Sequence, residues 1–474
     1  MASSQRGLNK TPKNFTVEGA DEIIDLDVDS IPEGAILNGF EEYWVQELII
    51  KTHVICYRRK RYQLLDGSYI IAPLPSSVDG HYGPGVKQFI INQTKVCNVS
   101  QTKVHQGLED VGIQISAGQI SNIILAEAAK LEEEYHEIAQ SGIQTAKVMG
   151  VDDTFNRHKG ENGSTLTVQN ELFTYFKSSN SKSRKNFLLA LRTNHKDYIF
   201  NQAALDYVNS YKPTSGLLAK LEQMRDKNHV CKDRSDWVEF LEKNEITNKN
   251  TSKSFLQIIE EAAIMGSAVA HGLNPKTALM SDGARQYYLL LHLLCWIHAE
   301  RAIKKLVPLN DQEAEEIKKI RSQIWNFYDE LKEYKINPTL EEKTRLDNRF
   351  DQIFGQSVIN DKLAVVLGNF RKNKKDLLRV LDLPFVPLHN NASELAIRNF
   401  VIVRKMNGGT RSDDGLKAKD IYATIIGTAR KNSISPWALL GSRIRKNKNV
   451  PYLPDVIRKR AMQSSSPPGA SQNR

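Results

Sequence analysis

The sequence predicts an α/β fold: a mixed β-sheet flanked by helices, with helical insertions and an N-terminal helix-turn-helix. Three short extended runs follow one another between Val148 and Lys177, and a fourth, Thr277 to Met280, returns after a long helical stretch. The first and fourth runs end in acids, Asp152 and Asp282. A third acid, Glu394, falls inside a helix opened by Pro387, Asn390 and Asn391.

Composition bounds the answer. With 474 residues, 40% hydrophobic and 25% charged, the chain reads as a soluble globular protein of two to four structural units. Apolar runs such as Tyr288 to Leu294 fall far short of the roughly 20 residues of a membrane span. No charged-then-apolar leader opens the chain, so a cytoplasmic, unprocessed protein is expected. Cys56, Cys97, Cys231 and Cys295 are scattered without a CxxC, which predicts reduced thiols and neither a disulfide framework nor a Cys-built zinc site. The net charge of +10 is uneven: from Arg398 to Arg474 there are 16 Lys or Arg against four acids, so the remainder is slightly acidic. A C-terminal region this basic suits a polyanion such as DNA, with a solvated basic surface as the plainer reading.

Residues 1–40 begin with a Ser, Gln and Lys leader and then carry seven Asp or Glu between Glu18 and Glu33, which predicts a disordered acidic extension. Residues 41–84 form a small β-rich segment, in which His53 to Gln63 and Ser68 to Ala72 flank the turn Asp66-Gly67. Over residues 85–140 the period is helical, with Val86, Phe89, Ile90, Val104 and Leu108 at three- to four-residue steps. Gly112 then marks a turn and Ser116 an N-cap. This helix-turn-helix would offer Gln119, Ser121 and Asn122 to base edges; a helical hairpin that reads no DNA is the alternative.

Residues 145–300 hold the first part of the sheet. Val148-Met-Gly-Val runs into Asp152-Asp153-Thr154, and the strands Ser164 to Gln169 and Leu172 to Lys177 follow, joined by Asn170-Glu171. Ser181 or Ser183 then caps a helix containing Phe187, Leu188 and Leu191. A polar, mixed helical insertion follows at about residues 212–265, and Thr277-Ala-Leu-Met ends in Ser281-Asp282-Gly283. Strand, strand, strand, helix, strand is the order of a ribonuclease-H-like fold, in which the first and fourth strands lie side by side and Asp152 and Asp282 converge. Residues 301–385 are a second helical insertion, capped by Asn310 and carrying Ile317, Ile320, Ile324, Tyr328 and Leu331 on one stripe. Residues 386–445 complete the core: Asn391, Glu394 and Arg398 share a helix face, while Leu395 and Ile397 turn inward. Residues 446–474 read as a basic disordered tail.

Three carboxylates in this order suit phosphodiester chemistry. Two Mg²⁺ (or Mn²⁺) ions about 3.5–4 Å apart would activate the attacking hydroxyl and stabilise the leaving oxygen. Mg²⁺ takes carboxylate oxygens and keeps several waters, so no His or Cys ligand is required. Singly, each acid reads as a turn, cap or solvated residue; jointly, Asp152, Asp282 and Glu394 read as metal ligands. Asp153 competes with Asp152, but neighbouring strand residues face opposite ways and only one can enter the site. His298 reads as a packed or surface histidine, and Cys295 and Trp296 as core residues. Arg404, Lys405, Arg411, Lys417 and Lys419, among Gly408, Gly409 and Gly415, suggest a phosphate-gripping loop, or an exposed turn with solvated charges.

At Val151-Asp-Asp-Thr, Ser281-Asp-Gly-Ala, Cys295-Trp-Ile-His-Ala-Glu-Arg, Pro387-Leu-His-Asn-Asn-Ala-Ser-Glu, Ala396-Ile-Arg, Val403-Arg-Lys and Ile434-Ser-Pro-Trp-Ala-Leu-Leu, the chain resembles transposases of the insertion-sequence sixty-six family. The resemblance runs, with gaps, from about Arg59 to Arg445. It implies a DDE triad of Asp152, Asp282 and Glu394, cleavage at transposon ends, and joining of the freed 3′-hydroxyl to target DNA. It also implies work as a homo-oligomer at the nucleoid, with accessory proteins from the same element. The sequence departs from the family pattern in four ways. Asp-Glu-Thr becomes Asp152-Asp153-Thr154, and Glu-Arg becomes Glu394-Leu395, so that one basic contact near the site is missing or is taken over by Arg398. Arg61-Tyr-Gln-Leu-Leu-Asp-Gly-Ser replaces a zinc-binding Cys pair, and the segment at about 212–265 is extra. A catalytically silent DNA-binding relative and a structure-selective nuclease are the rival readings.

Overall fold

The structure, a computed structural model, describes residues 21–27, 30–31, 33–41, 43–75 and 78–463. The leader expected over the first 20 residues and the tail from 464 on lie outside the described residues. The described part of 21–60 contains no helix or strand. The hairpin expected around Asp66-Gly67 is present but short: β1 (Arg61–Gln63) pairs with β2 (Tyr69–Ile71), Gln63 opposite Tyr69. Gly67 takes φ +84°, and Asp66 Oδ1 accepts from the Ser68 N–H at 2.9 Å, which fixes the turn.

Four helices lead to the sheet. α1 (Pro84–Ile91) has Pro at its first position and continues into a π-turn at Asn92–Val96. α2 (Gln101–Asp110) and α3 (Ala117–Lys130) are joined through Gly112, and the Ser116 hydroxyl accepts from the Gln119 N–H at 3.1 Å. α4 (Glu132–Thr145) follows. α3 buries Ile120, Ile123, Ile124 and Ala128, which leaves Gln119 half-buried and Asn122 exposed.

The central sheet has the order β5-β4-β3-β8-β9. β3 (Val148–His158), β4 (Glu161–Gln169) and β5 (Thr174–Ser179) form an antiparallel meander, Asp152 opposite Thr167. Thr165, Thr167 and Val168 are fully buried in β4, as β-branched residues covered on both faces should be. The crossover then contains α5 (Arg184–Leu191), capped by Ser183, and β6 (Tyr198–Ile199), α6 (Gln202–Asn209), α7 (Ser215–Asp226), β7 (Val230–Cys231), α8 (Arg234–Lys243) and α9 (Lys253–Ala270). β8 (Ala278–Ser281) returns parallel to β3, with Gly150 level with Met280, and β9 (Leu291–Leu294) extends the parallel half. This mixed five-stranded sheet flanked by helices is compatible with the ribonuclease-H-like order read from the sequence.

The remaining helices are α10 (Trp296–Lys304), α11 (Asp311–Ile336), α12 (Leu340–Phe354), α13 (Asp361–Lys372), the four-residue α14 (Lys374–Leu377), α15 (Asn391–Asn407), α16 (Asp413–Lys431), α17 (Pro436–Ile444) and α18 (Leu453–Gln463). Helices α11 to α13 gather Phe327, Phe350, Phe354 and Phe370 around Trp296, whose indole N–H donates to the Leu377 carbonyl at 3.0 Å. α15 packs on β3 and β4, and α16 on β5.

Four expectations are corrected. The basic tail does not begin at 446 as disordered chain: Leu453, Ile457 and Ala461, four residues apart, are buried as α18 packs on α4. The extra segment is not polar throughout, because α9 buries Ile259, Ala262, Ala263 and Ile264 in the main core. Leu395 does not turn inward; it is 64% exposed, whereas Ser393, Ile397 and Phe400 form the buried stripe at three- to four-residue steps. Gly415, Lys417 and Lys419 are not in a loop but in α16, whose start Ser412 caps and Asp413 and Asp414 favour. No helix among the described residues is long and apolar enough to cross a membrane.

Candidate active site

Strand parity decides between the two adjacent acids. A β-carbon at Gly150 would lie 2.7 Å from Gln169 Nε2 and 2.9 Å from Asn390 Oδ1, and would overlap Ser393 Oγ, so that side of β3 faces the start of α15. Asp152, two residues on, faces the same way. Asp153 faces the other way, where its carboxylate accepts from the Tyr287 hydroxyl at 2.5 Å and Gln286 Nε2 at 3.1 Å and pairs with Lys182. Asp153 is thus satisfied by local partners, and Asp152 is the acid free for the site.

Register places Asp282 beside it. Gly150 is level with Met280 in the parallel pair, so continuing both strands by two residues brings Asp152 level with Asp282. Asp152 does not end its strand as expected but lies inside β3, which runs on to His158 against β4. Asn390 ties α15 to this stretch, its side-chain N–H₂ donating to the Val151 carbonyl at 2.7 Å and its backbone N–H to Cys295 Sγ at 3.3 Å. Glu394 follows in the first turn of α15. The three acids feel one another. Burial pushes the Asp152 carboxyl up to about 6; the Asp153 N–H opposes the shift, while the charges of Asp282, Asp153 and Glu394 add to it.

Two residues of α10 to which the sequence assigned no role in the site stand at Glu394. Arg301 directs both terminal nitrogens at the carboxylate, each 3.4 Å from an oxygen, and His298 Nδ1 lies 3.3 Å from Oε1 without hydrogen-bond alignment. His298 is therefore more than a packing residue. Arg301 supplies the cation beside the third acid; Arg398 is exposed and, among the described residues, makes no ion pair with Glu394. The signal was present in Cys295-Trp-Ile-His-Ala-Glu-Arg: His298 and Arg301, three apart on a helix, share a face. Cys295 and Trp296 are core residues, at 1% and 2% exposure.

The cations expected to grip phosphate are dispersed. Arg404 donates to Thr154 Oγ1 at 3.1 Å and to the Phe155 carbonyl, locking the end of α15 to β3. Lys405 and Arg411 are exposed, and Lys417 pairs with Glu132 at 2.5 Å. Gly409 has φ +123° and its α-carbon lies so close to the Arg157 carbonyl that no side chain fits, which lets Thr410 bond the end of β3. Gln119 and Asn122 belong to α3, in the N-terminal helical region.

The acid donor set is all oxygen, which fits hard divalent cations. Among the described residues, the ligand atoms that close within 4.8 Å of one another belong to His195, Asp197 and His271 and to His229, Cys231 and Asp236. The three acids are not among the groups that close to this distance.

The fold and site define an α/β protein with an acid cluster where the middle of β3, the turn after the parallel strand β8 and the first turn of α15 meet. A family model described as "Transposase IS66 family" matches residues 265–418. The chain is also similar to "Uncharacterized protein y4jO" of Sinorhizobium fredii (strain NBRC 101917 / NGR234), 36% identical over 307 residues, or 64% of this chain and 94% of that protein. The chain belongs to the IS66 transposase family.

Proposed function

We propose that the protein is a DNA transposase that uses a ribonuclease-H-like core, with Asp152, Asp282 and Glu394 holding two Mg²⁺ or Mn²⁺ ions. The observation that carries this reading is the convergence of three acids from the middle of β3, the turn after β8 and the first turn of α15, with the Asp152 carboxylate accepting from the Asp153 N–H at 2.8 Å while Asp153 takes the side-chain partners. The ions would supply Lewis-acid stabilisation of the phosphoryl oxygens and lower the pKa of a bound hydroxyl. The chain's own part is positional. Asn390 and Gly150 hold α15 against β3, Arg404 fastens its far end, and Arg301 balances Glu394.

DNA is the partner that family membership supports, and the basic region from Arg398 on is where phosphates would lie, Arg398, Lys405 and Arg411 being among its exposed cations. The helix-turn-helix reading rests on α2 and α3, with Gln119 and Asn122 offered to base edges. On this reading residues 85–140 recognise DNA, and 145–300 with 386–445 form the catalytic core around the insertion at 301–385.

The test is Mg²⁺- or Mn²⁺-dependent cleavage of DNA carrying the element's ends, followed by joining to a target, with Glu394→Gln as control. Cleavage and joining that vanish in the variant are expected. Specific DNA binding without strand chemistry would establish the silent relative instead. Cutting of branched DNA without end preference or joining would establish the nuclease.

A further inference from the structure

Lys95 and Lys419 stand out as partly buried cations without an acid. Lys95 lies in the π-turn after α1, a distortion that frequently accompanies functional sites. Lys419 lies one turn before Tyr422 on α16. The Lys419 ammonium sits 3.7 Å from the centroid of the Phe400 ring, and that of Lys95 5.7 Å from the Tyr422 ring. Among the described residues neither lysine has an ion pair or a hydrogen bond. The adjacent acid, Asp420, is engaged by the Ser178 N–H and hydroxyl, both at 2.7 Å.

Unpaired ammonium groups removed from water are unfavourable, and a second cation nearby makes each worse. Burial pushes Lys95 down to about 8. Burial likewise pushes Lys419 down to about 8, opposed by Asp420 and reinforced by the charges of Lys95 and Arg404. Ring contacts offset this only in part. An anion placed between the two lysines would relieve both.

We infer that Lys95 and Lys419 form a phosphate-binding joint, which grips a backbone phosphate of bound DNA between the π-turn after α1 and α16, beside Phe400 of the helix that bears Glu394. This rests on the DNA reading above. Phe400, beneath Lys419, is six residues past Glu394 on α15, about 9 Å along the helix axis. Asn98 Nδ2 donates to Asn399 Oδ1 at 2.7 Å, so the segment carrying Lys95 is docked on α15 at this level.

The test uses the full-length chain with Lys95→Met/Lys419→Met and, as a charge-retaining control, Lys95→Arg/Lys419→Arg. Inorganic phosphate should raise the melting temperature of the wild type above that in chloride at equal ionic strength. The Met pair should lose that increment and the Arg pair keep it. With duplex DNA, the slope of log affinity against log salt should fall by about 1 in the Met pair, the contribution of one phosphate. An equal phosphate response in wild type and Met pair, or an unchanged slope, would overturn the inference. These readouts need no strand chemistry: an intact lysine-dependent response with no Glu394-dependent cleavage would reject the transposase reading and keep the phosphate joint. The reverse pattern would do the opposite.

Discussion

Asp152→Asn removes one charge from the acid cluster and leaves the side-chain shape nearly unchanged. In the folded chain burial and the neighbouring acids raise the Asp152 carboxyl from 3.8 to about 6, so its ionised form is disfavoured by folding. A rise of about two units corresponds to about 3 kcal/mol at 1.36 kcal/mol per unit. The sign follows from linkage. Above about pH 6 the wild type carries the whole penalty; the penalty falls as pH drops through 6 and is gone below the unfolded value near 4. Metal-free Asp152→Asn should therefore be more stable than wild type at pH 8 by about 2–3 kcal/mol, and the two should converge near pH 4. Thermal melts across pH 4–8 in chelator measure this. Saturating Mn²⁺ should reverse the order, because an ion that binds only the folded wild type stabilises it by mass action. A variant less stable than wild type at pH 8 without metal would refute the reasoning, since Asp152 would then be a structural acid satisfied by its surroundings.

Three further substitutions probe the scaffold. Gly150→Val must push Ser393, Gln169 or Asn390 aside; a loss of about 1–3 kcal/mol in melting experiments is expected, with strand cleavage lost far beyond that destabilisation because Glu394 moves. Arg301→Met removes a cation beside Glu394 and should tighten Mn²⁺ binding about threefold to tenfold in calorimetric titration, on the order of 1 kcal/mol; weaker binding would mean that Arg301 orients the ligand. Glu134→Ala removes the buried carboxylate that half-buried Arg443 bonds at 2.8 and 2.9 Å and that the Leu453 N–H donates to, leaving Arg443 only the Val450 and Pro451 carbonyls. The loss should be about 3–5 kcal/mol, with α17 and α18 becoming open to protease first.

Much of this architecture was legible because local chemistry and tertiary demand agree in it. The alternating Thr and Val of β4, the N-caps Ser116, Ser183 and Asn310, and the turn Asp66-Gly67 all do in the fold what their residue types prefer. The nearness of Asp152 and Asp282 was legible only through strand order, since a parallel pairing leaves no local mark. What escaped the reading was decided by long-range packing. β9 is a four-residue apolar run too short to distinguish from core helix, and α18 hides Leu453, Ile457 and Ala461 among charges. Gly415 read as loop although Ser412 and two acids start a helix there. Arg301 met Glu394 across 93 residues, a contact no periodicity encodes.

The central claim is that Asp152, Asp282 and Glu394 act as one metal centre. Mn²⁺ stoichiometry, measured by electron paramagnetic resonance on the full chain bound to DNA carrying the element's ends, tests it most directly. Two ions per chain are predicted for the wild type, and loss of at least one in each of Asp152→Asn, Asp282→Asn and Glu394→Gln, with the fold retained. Two ions bound in all four proteins would contradict the account and place the metal elsewhere.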